Sequence, residues 1–221
     1  MRIYVMCIAL LLGPATDSLQ PLISATVTFP KSGPVSIEGI VKQGAHPRLV
    51  FHSQQTGQLL LDAQVGKSEY WKEFVDKYQP NDLNMSIRFL VLHRIGLPDP
   101  LILALVREQG GSDCGYNSAL FGEVDGRLSE LTPSLPDHWF RGQTLLSSGT
   151  SGGPITLTVT SERYQAKDVH YTGPSLIAVY VYTYDSSQGK FVEARRTEVK
   201  SDDLHSTGED LIGLFGEFAQ C

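Results

Sequence analysis

The feature that most constrains the fold is the run Leu101-Ile102-Leu103-Ala104-Leu105-Val106. It is uninterruptedly apolar, too short for an ordinary helix, and bounded by Pro98, Pro100, Gly110 and Gly111. A strand with one wet face alternates apolar and polar residues. A continuous run flanked by breakers predicts a strand buried on both faces. Around it the chain must supply two covering surfaces.

Other segments read as further strands. Arg88–His93 is the expected neighbour of the run, and Ala119–Val124 is a second strand following it. Asp125-Gly126 then predicts a tight hairpin, because a type I′ turn needs positive φ at both central positions, with Leu128 and Leu131 on the return. Ser24–Phe29 alternates, with Ala25, Val27 and Phe29 on one face and Thr26 and Thr28 on the other; Val35 and Ile37 repeat the pattern. Ile155, Leu157 and Val159 are expected inward, with Thr156, Thr158 and Thr160 outward. Ser68–Tyr78 is the one helical stretch: Ser68 caps it, and Trp71, Phe74, Val75 and Tyr78 fall on one face.

The strand–turn–strand grammar recurs. Gly126-Arg127-Leu128-Ser129-Glu130 parallels Gly189-Lys190-Phe191-Val192-Glu193, and Leu49–Leu61 is a looser copy. The expected fold is mostly β: stacked antiparallel hairpins, sandwich-like or a partial propeller, with one short helix. The stretches GGSDCGYNSALFGEVDGRLSEL and VYVYTYDSSQGKFVEARRT resemble exported bacterial proteins with FG-GAP-like, propeller-type repeats. The resemblance covers about the second half of the chain and implies an exported protein of repeated hairpins. The calcium loop of that family carries several Asp/Asn side chains. Asp185-Ser186-Ser187-Gln188-Gly189 has one carboxylate, so no metal or other cofactor is expected here.

Met1-Arg2 followed by the apolar Ile3–Leu12 and the small residues Gly13-Pro14-Ala15 reads as a signal peptide over 1–15, removing Cys7 with it. The remainder, 16–221, is expected to be one β-rich globular domain, with residues 24–66 as a small N-terminal β subunit. The setting is then secreted or periplasmic, with no membrane span after cleavage. In that setting Cys114 and Cys221 are expected to form a disulfide. Hydrophobic residues make up 41% and charged residues 19% of the 221 residues, the balance of a packed protein. A net charge of −6 without any Lys/Arg block argues against nucleic acid and against anionic membrane surfaces as partners.

Two groups of residues suggest a site. In Val179–Tyr184 the valines share one face, and Tyr180, Tyr182 and Tyr184 the other; this tyrosine ladder and Trp139, in a loop over Pro133–Arg141, are the candidate ligand-binding residues. They would meet a protein or glycan at the cell exterior. Sheet packing is the alternative for the ladder. Gly149-Thr150-Ser151-Gly152-Gly153-Pro154 resembles the nucleophile loop of trypsin-like serine proteases. That resemblance implies Ser151 as nucleophile, with the amides of Gly149 and Ser151 as oxyanion donors. The family's histidine context is absent at His46, His52, His93 and His138, and His93 merely ends an apolar strand. Asp202, Asp203, His205, Glu209 and Asp210 read as a solvated acidic loop rather than a metal site. Asn84-Met85-Ser86 is a glycosylation sequon, meaningful only in a eukaryotic secretory host. The leading expectation is an exported, non-enzymatic binding or structural interaction module; a serine hydrolase using Ser151 is the runner-up.

Overall fold

The structure is a computed structural model and describes residues 18–42, 45–65, 84–110, 113–132, 138–139, 142–147, 153–163, 176–200 and 207–220. Residues 1–15, read above as a signal peptide, the stretch 68–78 expected to be helical, Gly149, Ser151 and Cys221 lie outside the described residues. So do Asp202, Asp203 and His205. Among the described residues, no helix is long and apolar enough to cross a membrane.

Among the described residues, fifteen strands form three antiparallel sheets. The first sheet in sequence is a meander, β2 (Ser24–Phe29), β3 (Gly33–Ile40), β4 (Arg48–Ser53) and β5 (Leu59–Gln64), paired in that order. The central sheet has the order β1 (Ser18–Leu22), β6 (Asn84–Leu92), β7 (Leu101–Gly110), β8 (Asp113–Val124), β10 (His138–Trp139), with β9 (Arg127–Glu130) also on β8. The last has the order β14 (Lys190–Lys200), β13 (Leu176–Asp185), β12 (Thr156–Arg163), β11 (Thr144–Ser147), β15 (Glu209–Asp210). After β15 come two short 3-10 turns within Gly213–Ala219, broken by a kink at Gly216 (φ 54°). Mostly β with stacked antiparallel hairpins is therefore the observed architecture.

The apolar run explains the stacking. All six residues from Leu101 to Val106 are fully buried. Ile102, Ala104 and Val106 join one core, shared with Phe29, Ile37 and Phe51 of the first sheet. Leu101, Leu103 and Leu105 join a second core, shared with Leu157, Tyr180 and Tyr182 of the last sheet. The central sheet is thus the middle of a three-layer stack, and period-2 alternation assigns successive residues of β7 to different cores. The apolar face of the four-stranded β2–β5 sheet closes against the central sheet. At the hairpin, Asp125 has φ 52° and Gly126 φ 81°, the geometry the Asp-Gly pair predicts.

Two local expectations change. The 133–141 loop contains a short strand, because β8 is longer than β9 and its free edge takes backbone from His138 opposite Tyr116 and Trp139 opposite Gly115. Thr160, expected outward with the other threonines, is fully buried, and its hydroxyl accepts the Gln143 amide at 2.7 Å.

The C-terminal segment is held by a clasp. Leu211, Ile212 and Phe215 are buried in the second core. The Phe218 ring faces the guanidinium groups of Arg88 and Arg107, at 5.3 Å and 5.5 Å from its centroid. The Tyr116 hydroxyl donates to the Ala219 carbonyl at 2.6 Å. Each cation–π contact contributes about 0.5–1 kcal/mol at a partly wet site. Phe218→Ala is expected to cost about 1–3 kcal/mol of unfolding free energy, read by urea denaturation, and Tyr116→Phe about 1 kcal/mol.

Candidate functional site

Three hairpin turns converge at one end of the stack, one from each layer. The β8–β9 turn at Asp125-Gly126 is the hub. On one side the β2–β3 turn docks through Glu123, whose carboxylate accepts the amides of Lys31 at 2.7 Å and Ser32 at 2.6 Å and the Ser32 hydroxyl. Desolvation works against the Glu123 charge, but the Ser32 hydroxyl, the two amides and the Lys31 ammonium outweigh it and hold this carboxyl below its ordinary value. On the other side the β13–β14 turn docks through Gly189. Its φ is +63°, and a Cβ there would lie 2.2 Å from Cγ1 of Val124. The Phe191 amide donates to the Leu131 carbonyl at 2.6 Å, stitching β14 to the end of β9. The two hairpins with the same sequence grammar therefore lie side by side, in different layers.

Between them runs an open groove of about 510 Å³, lined by Val124, Asp125, Arg127, Ser129, Glu130, Gln188, Gly189 and Lys190. Asp185 shapes its rim. Its carboxylate accepts the Ser187 hydroxyl at 2.6 Å and amide at 2.8 Å, and the Gln188 side-chain amide at 2.6 Å. The Ser187 hydroxyl bond leads the causes that keep this carboxyl ionised below its ordinary value. The one carboxylate of the 185–189 turn is thus committed to that turn. No ion pair engages Arg127 or Lys190 among the described residues, so both cations are available to a ligand in the groove.

The tyrosine ladder lies elsewhere. Tyr180 and Tyr182 are 6% and 4% exposed, inside the core between the central and last sheets. Tyr184 is half-buried against the same core, its ring centroid 5.3 Å from that of Phe191. The ladder is the inner face of the last sheet, so the packing alternative accounts for these three rings. Burial raises the Tyr182 hydroxyl pKa, helped by Glu193 and Tyr180 and opposed by Arg196. Burial likewise raises that of Tyr116, with Arg107 opposing. Trp139 is placed by its backbone opposite Gly115, at the far end of β8 from the groove. Cys114 lies in β8, opposite Gln109 of β7.

A further pair escapes sequence reading. His93, just past β6, meets the Asp99 carboxylate through Nδ1 across the turn that leads into β7. Beside it Arg94 forks onto Glu209, Nε–Oε2 at 2.7 Å and Nη2–Oε1 at 2.6 Å, tying this turn to β15. The tip residue Ile95 is 98% exposed, while Gly96 packs against Ile155. The signal was a histidine and an aspartate six positions apart across a Gly-Pro-containing turn. Glu209 and Asp210, the described part of the acidic stretch, are both structural: Asp210 accepts the amides of Ile212 and Gly213 at 3.1 and 3.2 Å. Among the described residues no group of three or more His, Cys, Asp or Glu is placed to hold a metal ion.

Gly189→Ala should cost about 2–4 kcal/mol, because it combines a left-handed backbone with a clash against a β-branched neighbour in a packed site. Urea denaturation reads it. For Glu123 the folded pKa is depressed, so its stabilisation is complete above the ordinary value of 4.5 and is lost as pH falls through the folded pKa. The stability difference between wild type and Glu123→Gln should therefore be largest at neutral pH and shrink below pH 4.5, as measured by thermal unfolding across pH.

No known family's model, no curated protein and no solved structure matches this chain.

Proposed function

We propose that this chain is an exported, non-enzymatic interaction module that binds a polar protein segment or glycan in the groove between the β8–β9 and β13–β14 turns. The observation that carries the reading is the pairing of an open groove of about 510 Å³ with two cations, Arg127 and Lys190, held on rigid hairpin ends. The backbones of hairpins locked together by Glu123, Gly189 and Leu131 need little ordering on binding, which favours specific recognition. Ser129, Glu130 and Gln188 add hydrogen-bonding groups suited to hydroxyl-rich or peptide ligands. The leader-like N-terminus and the likeness of residues 110–131 and 179–197 to FG-GAP-like repeats support a place at the cell exterior.

A second reading, a serine hydrolase using Ser151, is favoured by the His93–Asp99 pair. In such enzymes a carboxylate on Nδ1 orients the ring, and Nε2 serves the nucleophile.

One experiment separates them. Calorimetric titration against soluble neutral, carboxylated and sulfated oligosaccharides and a mixed-charge peptide set is paired with a nitrophenyl-ester turnover assay. The module reading predicts saturable binding to at least one probe, weakened about tenfold or more by Arg127→Ala/Lys190→Ala, which corresponds to about 1.4 kcal/mol. Ester turnover abolished by Ser151→Ala and by His93→Ala, with no probe bound, would replace it with the hydrolase.

A further inference from the structure

We propose that β14 is a self-association edge, pairing antiparallel with β14 of a second copy about a two-fold axis through Thr197. Among the described residues β14 is the terminal strand of its sheet, bonded to β13 alone. It is 11 residues long, and its side chains from Val192 to Arg196 are exposed. A long open edge presents unpaired amides and carbonyls, and natural chains shorten, bend, plug or charge such edges unless something covers them; the charges on β14, Lys190, Glu193, Arg195, Arg196, Glu198 and Lys200, are of both signs and so can pair as well as repel. Here the only irregularity is a bulge opposite Val181/Tyr182, which leaves Arg195–Lys200 in unbroken register with Leu176–Val181. Proline is absent from the strand.

The charge order selects the partner. Register with β13 puts Arg196 opposite Tyr180 and Glu198 opposite Ala178, on the core-facing side, and Arg195, Thr197 and Val199 on the other. In a sheet continued through a two-fold axis, residues opposite one another share a face. An axis at Arg195 or Arg196 opposes arginine to arginine, and one at Glu198 opposes glutamate to glutamate, which is destabilising. An axis at Val199 overlaps only Glu198–Lys200 within the strand. An axis at Thr197 overlaps Ala194–Lys200, opposes Thr197 to Thr197, and sets Arg196 against Glu198 twice. The Arg196 guanidinium already lies 5.1 Å from the centroid of the Tyr180 ring, so it is held on the face where the partner's Glu198 arrives. The strand is self-complementary in the one register that uses most of its regular half. The last sheet would then run unbroken through both copies, and the groove at the turn end of each copy would not be needed for the contact.

Sedimentation equilibrium on the purified full chain tests this. An edge contact of this kind is small, so a concentration-dependent monomer–dimer equilibrium is expected. Arg196→Glu alone and Glu198→Arg alone should each weaken dimerisation about tenfold or more, since each sets like charges opposite one another. The double exchange Arg196→Glu/Glu198→Arg should restore it to within about threefold of wild type, which also shows that the single variants did not merely misfold. A wild-type chain that stays monomeric at all concentrations overturns the proposal. So does a dimer that the single exchanges leave unchanged, or one that the double exchange fails to restore.

Discussion

Everything in this molecule follows from a strand that has no wet face. β7 places Ile102, Ala104 and Val106 in one core and Leu101, Leu103 and Leu105 in another. A sheet with such a strand at its centre must be covered twice, and the covering comes from the chain on either side of it: β2–β5 before, β11–β15 after. Antiparallel sheets commonly leave one face to solvent. Here the second cover removes that option, so polar groups on the central sheet need partners. Asn117 supplies one case, donating to the buried Glu108 carboxylate at 2.9 Å.

The stack also determines where function can sit. With both faces of the central sheet consumed, its ends and the outer edges are what remain. At one end the three turns lock together by different chemistry. The β2–β3 turn is held by a carboxylate capped with backbone amides, the β13–β14 turn by the missing Cβ of Gly189. Both devices act on the residues flanking Asp125-Gly126. The groove beside them inherits that rigidity.

Local structure was largely legible in the sequence, and assembly was not. The LILALV run, the Asp125-Gly126 turn and the alternation of Val27, Phe29, Val35 and Ile37 each carry their meaning within a few residues, and the structure agrees at each. The tyrosine ladder shows the limit. Alternating tyrosines look the same whether the face they share meets water or another sheet, and the answer depended on a sheet more than fifty residues away. Glu123 and Lys31 are 92 positions apart, and nothing local in either predicts that their turns touch. His93 and Asp99 are close in sequence, but their contact depends on how the turn between two buried strands folds back.

The measurement that tests the double burial most directly is urea denaturation of Ile102→Ala and Leu103→Ala. Neighbouring residues on an ordinary half-exposed strand give one large loss and one near zero. If β7 lies between two cores, each replacement loses about 2–5 kcal/mol. A loss of about 0.5 kcal/mol or less at either position, the range of a surface substitution, would contradict the three-layer stack.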